Sequence, residues 1–316
     1  MRNSSARLPQ LNGDVFITDG GIETTLIFEF GLDLPLFAAF LLLDSEEGRN
    51  ALTAYYRRHA AIAAHNARGF IFESATWRAS PDWGERLGYP VSEIERFNKR
   101  SIDLMCAVKH EFPRLNGVMS GCIGPRGDGY EPGSLMTVAE AEAYHAVQAY
   151  AFADTQADLV TAITMTNTPE AIGITRAAQS AGMPVVISFT VETDGRLPTG
   201  QMLGDAIEEV DAATGNAPAY FMLNCAHPDH FRDTLKSGGP WLRRLCGIRA
   251  NASRLSHAEL DEAEELDDGN PEETGRDYAE LKAMLPHLVV FGGCCGTDHR
   301  HIEQACLATA PASISI

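Results

Sequence analysis

Short apolar runs alternate with longer amphipathic stretches from one end of the chain to the other. The runs at residues 15–18, 70–73, 117–123, 159–164, 185–189, 219–223, 245–249 and 288–291 are the length of strands and read as buried ones. Between and after them, residues 45–67, 92–112, 138–153, 169–181, 202–213, 228–235, 278–285 and 299–308 read as helices. Ser45 is a candidate N-cap for the first helix, and Gly69 lies just past its end. Ser92 with Glu95 has the form of a capping box for the second.

Eight strand-then-helix units, with no compositional break between them, predict an α/β fold: a single (β/α)8 TIM barrel with its active site at the C-terminal strand ends. An open, doubly wound sheet is the rival. The positions of the polar motifs decide between them. Asp19-Gly20-Gly21, Gly124-Pro125, Asn224-Cys225 and Gly293-Cys294-Cys295 each follow a strand. A barrel gathers those strand ends around one mouth, whereas an open sheet spreads the first, sixth and eighth apart. The length of 316 residues and a hydrophobic content of 45% suffice for one such domain, and no internal repeat stands out.

Charge and composition narrow the function classes. The net charge is −18, and eleven of the Asp and Glu residues lie between residues 259 and 280 with a single Arg. That run reads as an acidic surface insertion at about residues 255–277. Nucleic acid is excluded as a partner, because phosphate binding needs clustered Lys and Arg. No membrane-spanning run is present: the apolar stretch 34–43 is too short. The first eight residues lack the apolar run of an export signal, so a cytoplasmic location is the expectation. In that compartment the seven cysteines read as thiols. Oligomeric state is left open.

Three of those cysteines form a chemical motif. Cys294 and Cys295 are adjacent and flanked by glycines, and Cys225 arrives from another strand end. Three thiolates suit a Zn2+ ion with one open position. Three anionic ligands disfavour water activation but suit the binding of an incoming thiol, which then attacks an electrophilic carbon such as an onium methyl group. The alternatives are a vicinal Cys294–Cys295 disulfide, or a closed site completed by His227 or His299. Cys106, Cys122, Cys246 and Cys306 read as buried small side chains, although Cys122 ends a strand at the same mouth.

With these residues in view, the chain resembles the homocysteine S-methyltransferase family from about residue 14 to its C-terminus. The resemblance rests on Asp19-Gly20-Gly21-Ile22-Glu23-Thr24, Gly121-Cys122-Ile123-Gly124-Pro125, the segment Pro184 to Thr190, Asn224-Cys225, and Gly292-Gly293-Cys294-Cys295-Gly296-Thr297 followed by His301-Ile302. It implies a zinc-dependent barrel enzyme with Cys225, Cys294 and Cys295 as metal ligands. It further implies Asp19 beside the amino group of the thiol substrate and Asn224 orienting the site. The partners implied are a small-molecule thiol, homocysteine or a relative, and an onium methyl donor: S-methylmethionine, S-adenosylmethionine or betaine. The chain departs from the family where a strand-four Glu is expected, since Ile163-Thr164 stand there, and where Glu73-Ser74-Ala75-Thr76-Trp77 follow strand two. Glu73 and Glu192 are the candidates for replacing the missing carboxylate. Asn251, in Ala250-Asn251-Ala252-Ser253, resembles a family Pro-Asn-Ala-Gly stretch without its proline and glycine. Aromatic rings at Trp77, Trp83 and Tyr130 are candidates to face an onium cation. The competing class is a non-catalytic zinc or thiol-redox-responsive barrel protein.

Overall fold

The computed structural model describes residues 8–263 and 265–310. All but the last of the residues on which the export-signal expectation rests lie outside them. Eight parallel strands close into one barrel in sequence order, with the last pairing back to the first. They are β1 Phe16–Ile17, β2 Gly69–Glu73, β3 Gly117–Ile123, β4 Leu159–Met165, β5 Val185–Phe189, β6 Phe221–Asn224, β7 Leu245–Ala250 and β8 Val290–Gly293. The long helices that follow them are α1 Glu46–His65, α2 Val91–His110, α3 Val138–Ala153, α4 Thr168–Ser180, α5 Leu203–Thr214, α6 Pro228–Ser237, α7 Pro271–Met284 and α8 His299–Ala308. The (β/α)8 barrel expected from the sequence is the one observed. No helix among the described residues is long and apolar enough to cross a membrane.

The alternation of strand side chains sorts the core into two layers. Ile17, Phe70, Phe72, Val160, Ile187, Phe221, Leu223, Ile248 and Phe291 belong to the large cluster shared with the helices. The opposite parity, Phe16, Ile71, Val118, Leu159, Val186, Met222 and Val290, forms a second cluster inside the barrel. Moving two residues along each strand keeps the inward direction but changes the chemistry. Ile71 gives way to Glu73, Val118 to Ser120, Leu159 to Thr161, Val186 to Ser188 and Met222 to Asn224, and Arg249 takes the same level on β7. All six are buried. The barrel is therefore apolar at its N-terminal end and polar at its C-terminal end.

Two helix starts differ from the sequence reading. Pro90 occupies the cap position of α2 with extended ψ of 161°. Ser92 therefore falls inside the first turn, and the expected capping box does not form. Helix α7 starts at Pro271 rather than Tyr278. Asn270 caps it by accepting from the Glu272 and Glu273 amides, Pro271 fits the first turn, and the two Glu side chains favour the helix N-terminus. Part of the acidic run is thus a helix start. The rest forms a short helix, His257–Asp261, and a strap to Asn270.

Candidate functional site

The C-terminal strand ends enclose a cavity of about 420 Å3. Cys225 follows β6 with φ of 53°, a conformation a non-glycine residue seldom adopts, and its N–H donates to the Arg249 carbonyl at 3.2 Å. Cys294 and Cys295 follow β8. The Cys294 amide donates to the Ala250 carbonyl at 2.9 Å, and the Cys295 carbonyl accepts from Ala252 at 3.1 Å. The glycines before them make room rather than flexibility. A Cβ on Gly292 would collide with the Thr18 hydroxyl, and one on Gly293 with the Thr297 hydroxyl. The buried Tyr278 hydroxyl donates to the Gly292 carbonyl and accepts from the Ala250 amide at 2.9 Å, pinning the ends of β7 and β8 together.

These supports bring the sulfurs of Cys225, Cys294 and Cys295 within 4.8 Å of one another. Cys225 and Cys294 are joined as a disulfide, and Cys295 is free. The sequence reading had expected thiols throughout, with a vicinal Cys294–Cys295 bond as the oxidised alternative. The structure instead pairs Cys294 with the cysteine that the barrel carries to it from β6. Three sulfurs converging at a cavity fit a soft divalent ion once the disulfide is reduced. Among the described residues, no histidine joins the group. His227 caps α6 by accepting from the Asp229 amide, and His299 sits with Glu29 and Asp298 elsewhere. The sulfurs have polar neighbours: the Thr164 hydroxyl lies 3.8 Å from Cys225 Sγ, Asn224 Nδ2 lies 3.8 Å from Cys294 Sγ, and the Tyr130 hydroxyl lies 3.6 Å from Cys295 Sγ.

Asn224 organises the strand ends beside the sulfurs. Its Oδ1 accepts from the Thr164 amide at 2.9 Å and the Ser188 hydroxyl at 2.6 Å, while Nδ2 donates to the Thr164 hydroxyl at 2.8 Å. Thr164 itself has φ of 66°, at a point where the register of β4 against β5 shifts. Ile163 lines the cavity with a hydrocarbon side chain.

Below lies a buried ionic floor. Arg249 reaches across from β7, with Nη2 donating to Asp19 Oδ1 at 2.8 Å and Nε to the Gly293 carbonyl at 3.1 Å. Asp19 Oδ2 accepts from the Tyr55 hydroxyl at 3.0 Å. Glu73 stands 3.6 Å from Arg249 Nη1. Burial pushes the Glu73 carboxyl up to about 7, against the pull of Arg249 and the Ser120 and Thr161 hydroxyls. Glu23, also at the cavity wall, is pushed up to about 7 by burial and by Asp19. Arg249 would be held down by burial, but Asp19 and Glu73 outweigh that and raise it. The Cys122 thiol lines the same cavity and is raised well above its ordinary range by burial and by Glu73.

The acidic run rims the mouth. Leu260, Asp261, Ala263, Glu265, Leu266 and Asp267 line the cavity mouth, and all of them but Leu260 are exposed, so this part of the insertion is a solvated rim. Tyr130 stacks on His257 with ring centroids 4.0 Å apart, and His257 contacts the Cys225 carbonyl at 2.8 Å and Glu192 at 3.1 Å. Of the two candidate replacement carboxylates, Glu73 is therefore in the cavity and Glu192 is paired outside it. The expected aromatic rings also have partners within the fold. The Arg78 guanidinium lies over Trp77 at 4.3 Å and over Trp83 at 3.6 Å. Sequence reasoning missed Arg249, Glu23, Tyr55 and Tyr278. The available signal was a charged Arg249 closing an otherwise apolar strand.

The fold and site define a (β/α)8 barrel with a thiol-rich, acid-lined cavity at its C-terminal face. The homocysteine S-methyltransferase family model matches residues 16–309, and the chain belongs to that family, which is one of methyltransferases. Among solved structures, the homocysteine methyltransferase MmuM of Escherichia coli in its oxidised form is similar at 18% identity, with a TM-score of 0.73 over 96% of this chain and 98% of that one. Its metallated form is similar at 17% identity, with a TM-score of 0.70 over 96% and 99%. At these identities the likeness shows the fold. No curated protein matches the chain.

Proposed function

We propose that the protein is a zinc-dependent S-methyltransferase that moves a methyl group from an onium donor to homocysteine. The observation that carries this reading is the convergence of three cysteine sulfurs, from two strand ends, at one cavity. Family membership and the likeness to MmuM, which has a metallated form, support it. Reduced Cys225, Cys294 and Cys295 would hold the ion. Zinc in such a site supplies a lowered pKa to an incoming thiol, which then arrives as a nucleophile.

The chain's own residues do the positioning. Asn224 fixes Thr164 and its neighbouring strand ends beside the sulfurs. The buried floor holds the polar end of the acceptor. Acidic side chains at the wall and rim (Glu23, Asp128, Asp261, Glu265 and Asp267) favour a cationic donor, so S-methylmethionine, S-adenosylmethionine and betaine are the donors proposed. In the transfer, the acceptor sulfur forms a bond to the methyl carbon as the donor's S–C or N–C bond breaks. The bonding pair leaves with the donor, which departs with one positive charge fewer, and the product is methionine. Dependence on reduced thiols fits a cytoplasmic location.

The disulfide between Cys225 and Cys294 favours one second reading, a barrel whose thiols respond to redox state without catalysis. The test is methionine formation from homocysteine with each of the three donors, with zinc quantified in the same reduced samples. The proposal expects about one zinc per chain, methionine from at least one donor, and loss of both in Cys294→Ala. Reversible oxidation with no methyl transfer from any donor would establish the second reading instead.

A further inference from the structure

Each of the three converging sulfurs has its own hydrogen-bond donor. The Thr164 hydroxyl meets Cys225 Sγ at 3.8 Å, Asn224 Nδ2 meets Cys294 Sγ at 3.8 Å, and the Tyr130 hydroxyl meets Cys295 Sγ at 3.6 Å. The first two directions are forced. The Thr164 N–H can only donate, so the Asn224 atom it meets at 2.9 Å is the oxygen, and the other end of that amide is the donor. One Nδ2 hydrogen goes to the Thr164 hydroxyl at 2.8 Å. That leaves the hydroxyl's own proton for Cys225 and the second Nδ2 hydrogen for Cys294. Tyr130 is held by its surroundings: its ring stacks on His257 with 11° between the planes, and its N–H donates to Asp128 Oδ1 at 2.8 Å.

One donor per sulfur bears on a problem of selectivity. All three cysteines line the same cavity as the acids that favour a cationic methyl donor. Once reduced and ionised, each sulfur is a nucleophile that competes with the acceptor's. Methylation of Cys295, for instance, would form a bond from Sγ to the methyl carbon as the donor's S–C or N–C bond breaks, with the bonding pair leaving on the donor. The cysteine would end as an uncharged thioether, and the site would lose one of its three anionic ligands. We infer that Tyr130, Thr164 and Asn224 shield the protein's own sulfurs from methylation and so direct the methyl group to the acceptor. This inference rests on the function proposed above and deepens it. A hydrogen bond to a thiolate occupies a lone pair that attack on carbon needs, and such charge-assisted bonds are stronger than neutral ones. The three residues act through the sulfurs, not on the substrate.

The test treats reduced, zinc-loaded protein, without acceptor, with methyl iodide, a small neutral methyl source that needs no binding site and releases iodide. Peptide mass spectrometry reads the methylation rate at Cys225, Cys294 and Cys295 separately, with zinc quantified in the same samples. Tyr130→Phe keeps the ring that stacks on His257 and removes only the hydroxyl. It should speed methylation of Cys295 about tenfold or more and leave Cys225 and Cys294 within about twofold, as expected when a charged hydrogen bond no longer has to be lost. Thr164→Ala should do the same at Cys225 and spare Cys295. In cobalt(II)-substituted protein, Tyr130→Phe should also move the sulfur-to-metal charge-transfer band to longer wavelength, because the sulfur lone pair rises in energy. An equal rise at all three cysteines marks a loosened site and, like no rise at any, overturns the inference. Each variant names its own cysteine, so should one fail to fold the other decides. A failed labelling pattern in protein that binds zinc and forms methionine refutes only the shielding of the sulfurs. A wild type that does neither refutes the proposed function, and this inference with it.

Discussion

Glu73 lies two residues beyond Ile71 on β2 and so inherits its inward direction, which turns the last residue of an apolar strand into a buried acid. Its pKa has a consequence for stability. The carboxyl is raised from 4.5 to about 7 in the folded protein. The folded state therefore holds the proton more tightly than the unfolded chain. The stabilisation is complete below the ordinary value and is lost as pH rises through about 7. In metal-free protein, Glu73→Gln should flatten this part of the stability profile, removing a pH-dependent difference of about 3 kcal/mol. Chemical denaturation across that range checks it, and parallel profiles for the two proteins would refute it. The site was legible at this scale only where residue type carried the message. Adjacent cysteines after glycines announce themselves. Arg249 and Tyr55 do not, because their roles arise from which way β7 points and from how α1 packs on the barrel.

The strand–helix elements were legible through their apolar periodicity, and the disagreements fall where local chemistry outranks it. Helix α7 starts seven residues before the sequence reading had it, because Asn270, Pro271 and two acids form a start signal that looks like an acidic loop when only charge is counted. The same helix delivers Tyr278 to the seam between β7 and β8. Its hydroxyl serves the Gly292 carbonyl and the Ala250 amide, both buried. Tyr278→Phe should cost about 1–3 kcal/mol in stability, the price of leaving those backbone groups unmet. It should also weaken zinc binding, because Cys294 follows that seam. Thermal melts with and without zinc check both effects. An unchanged melting temperature would show that the hydroxyl is not a structural tie.

At the scale of the molecule, closing the sheet is what makes a site from residues far apart in sequence. Cys225 and Cys294 are 69 positions apart, and the barrel brings them within bonding distance. The eight-unit rhythm made that closure legible in advance, and with it the mouth. That the exposed acidic strap rims this mouth was not legible, because a run of like charges does not say which strand ends lie beneath it. The result is a thiol-rich cavity, rimmed by acids and floored by a buried arginine between Asp19 and Glu73. The central claim is that the reduced cysteines at this mouth take up the sulfur of homocysteine. The direct measurement is the sulfur-to-metal charge-transfer absorption of reduced, cobalt(II)-substituted protein as homocysteine is added. The account predicts that the band grows and saturates with homocysteine, and that methionine, which has no thiol, leaves it unchanged. A spectrum that does not respond to homocysteine would contradict the account.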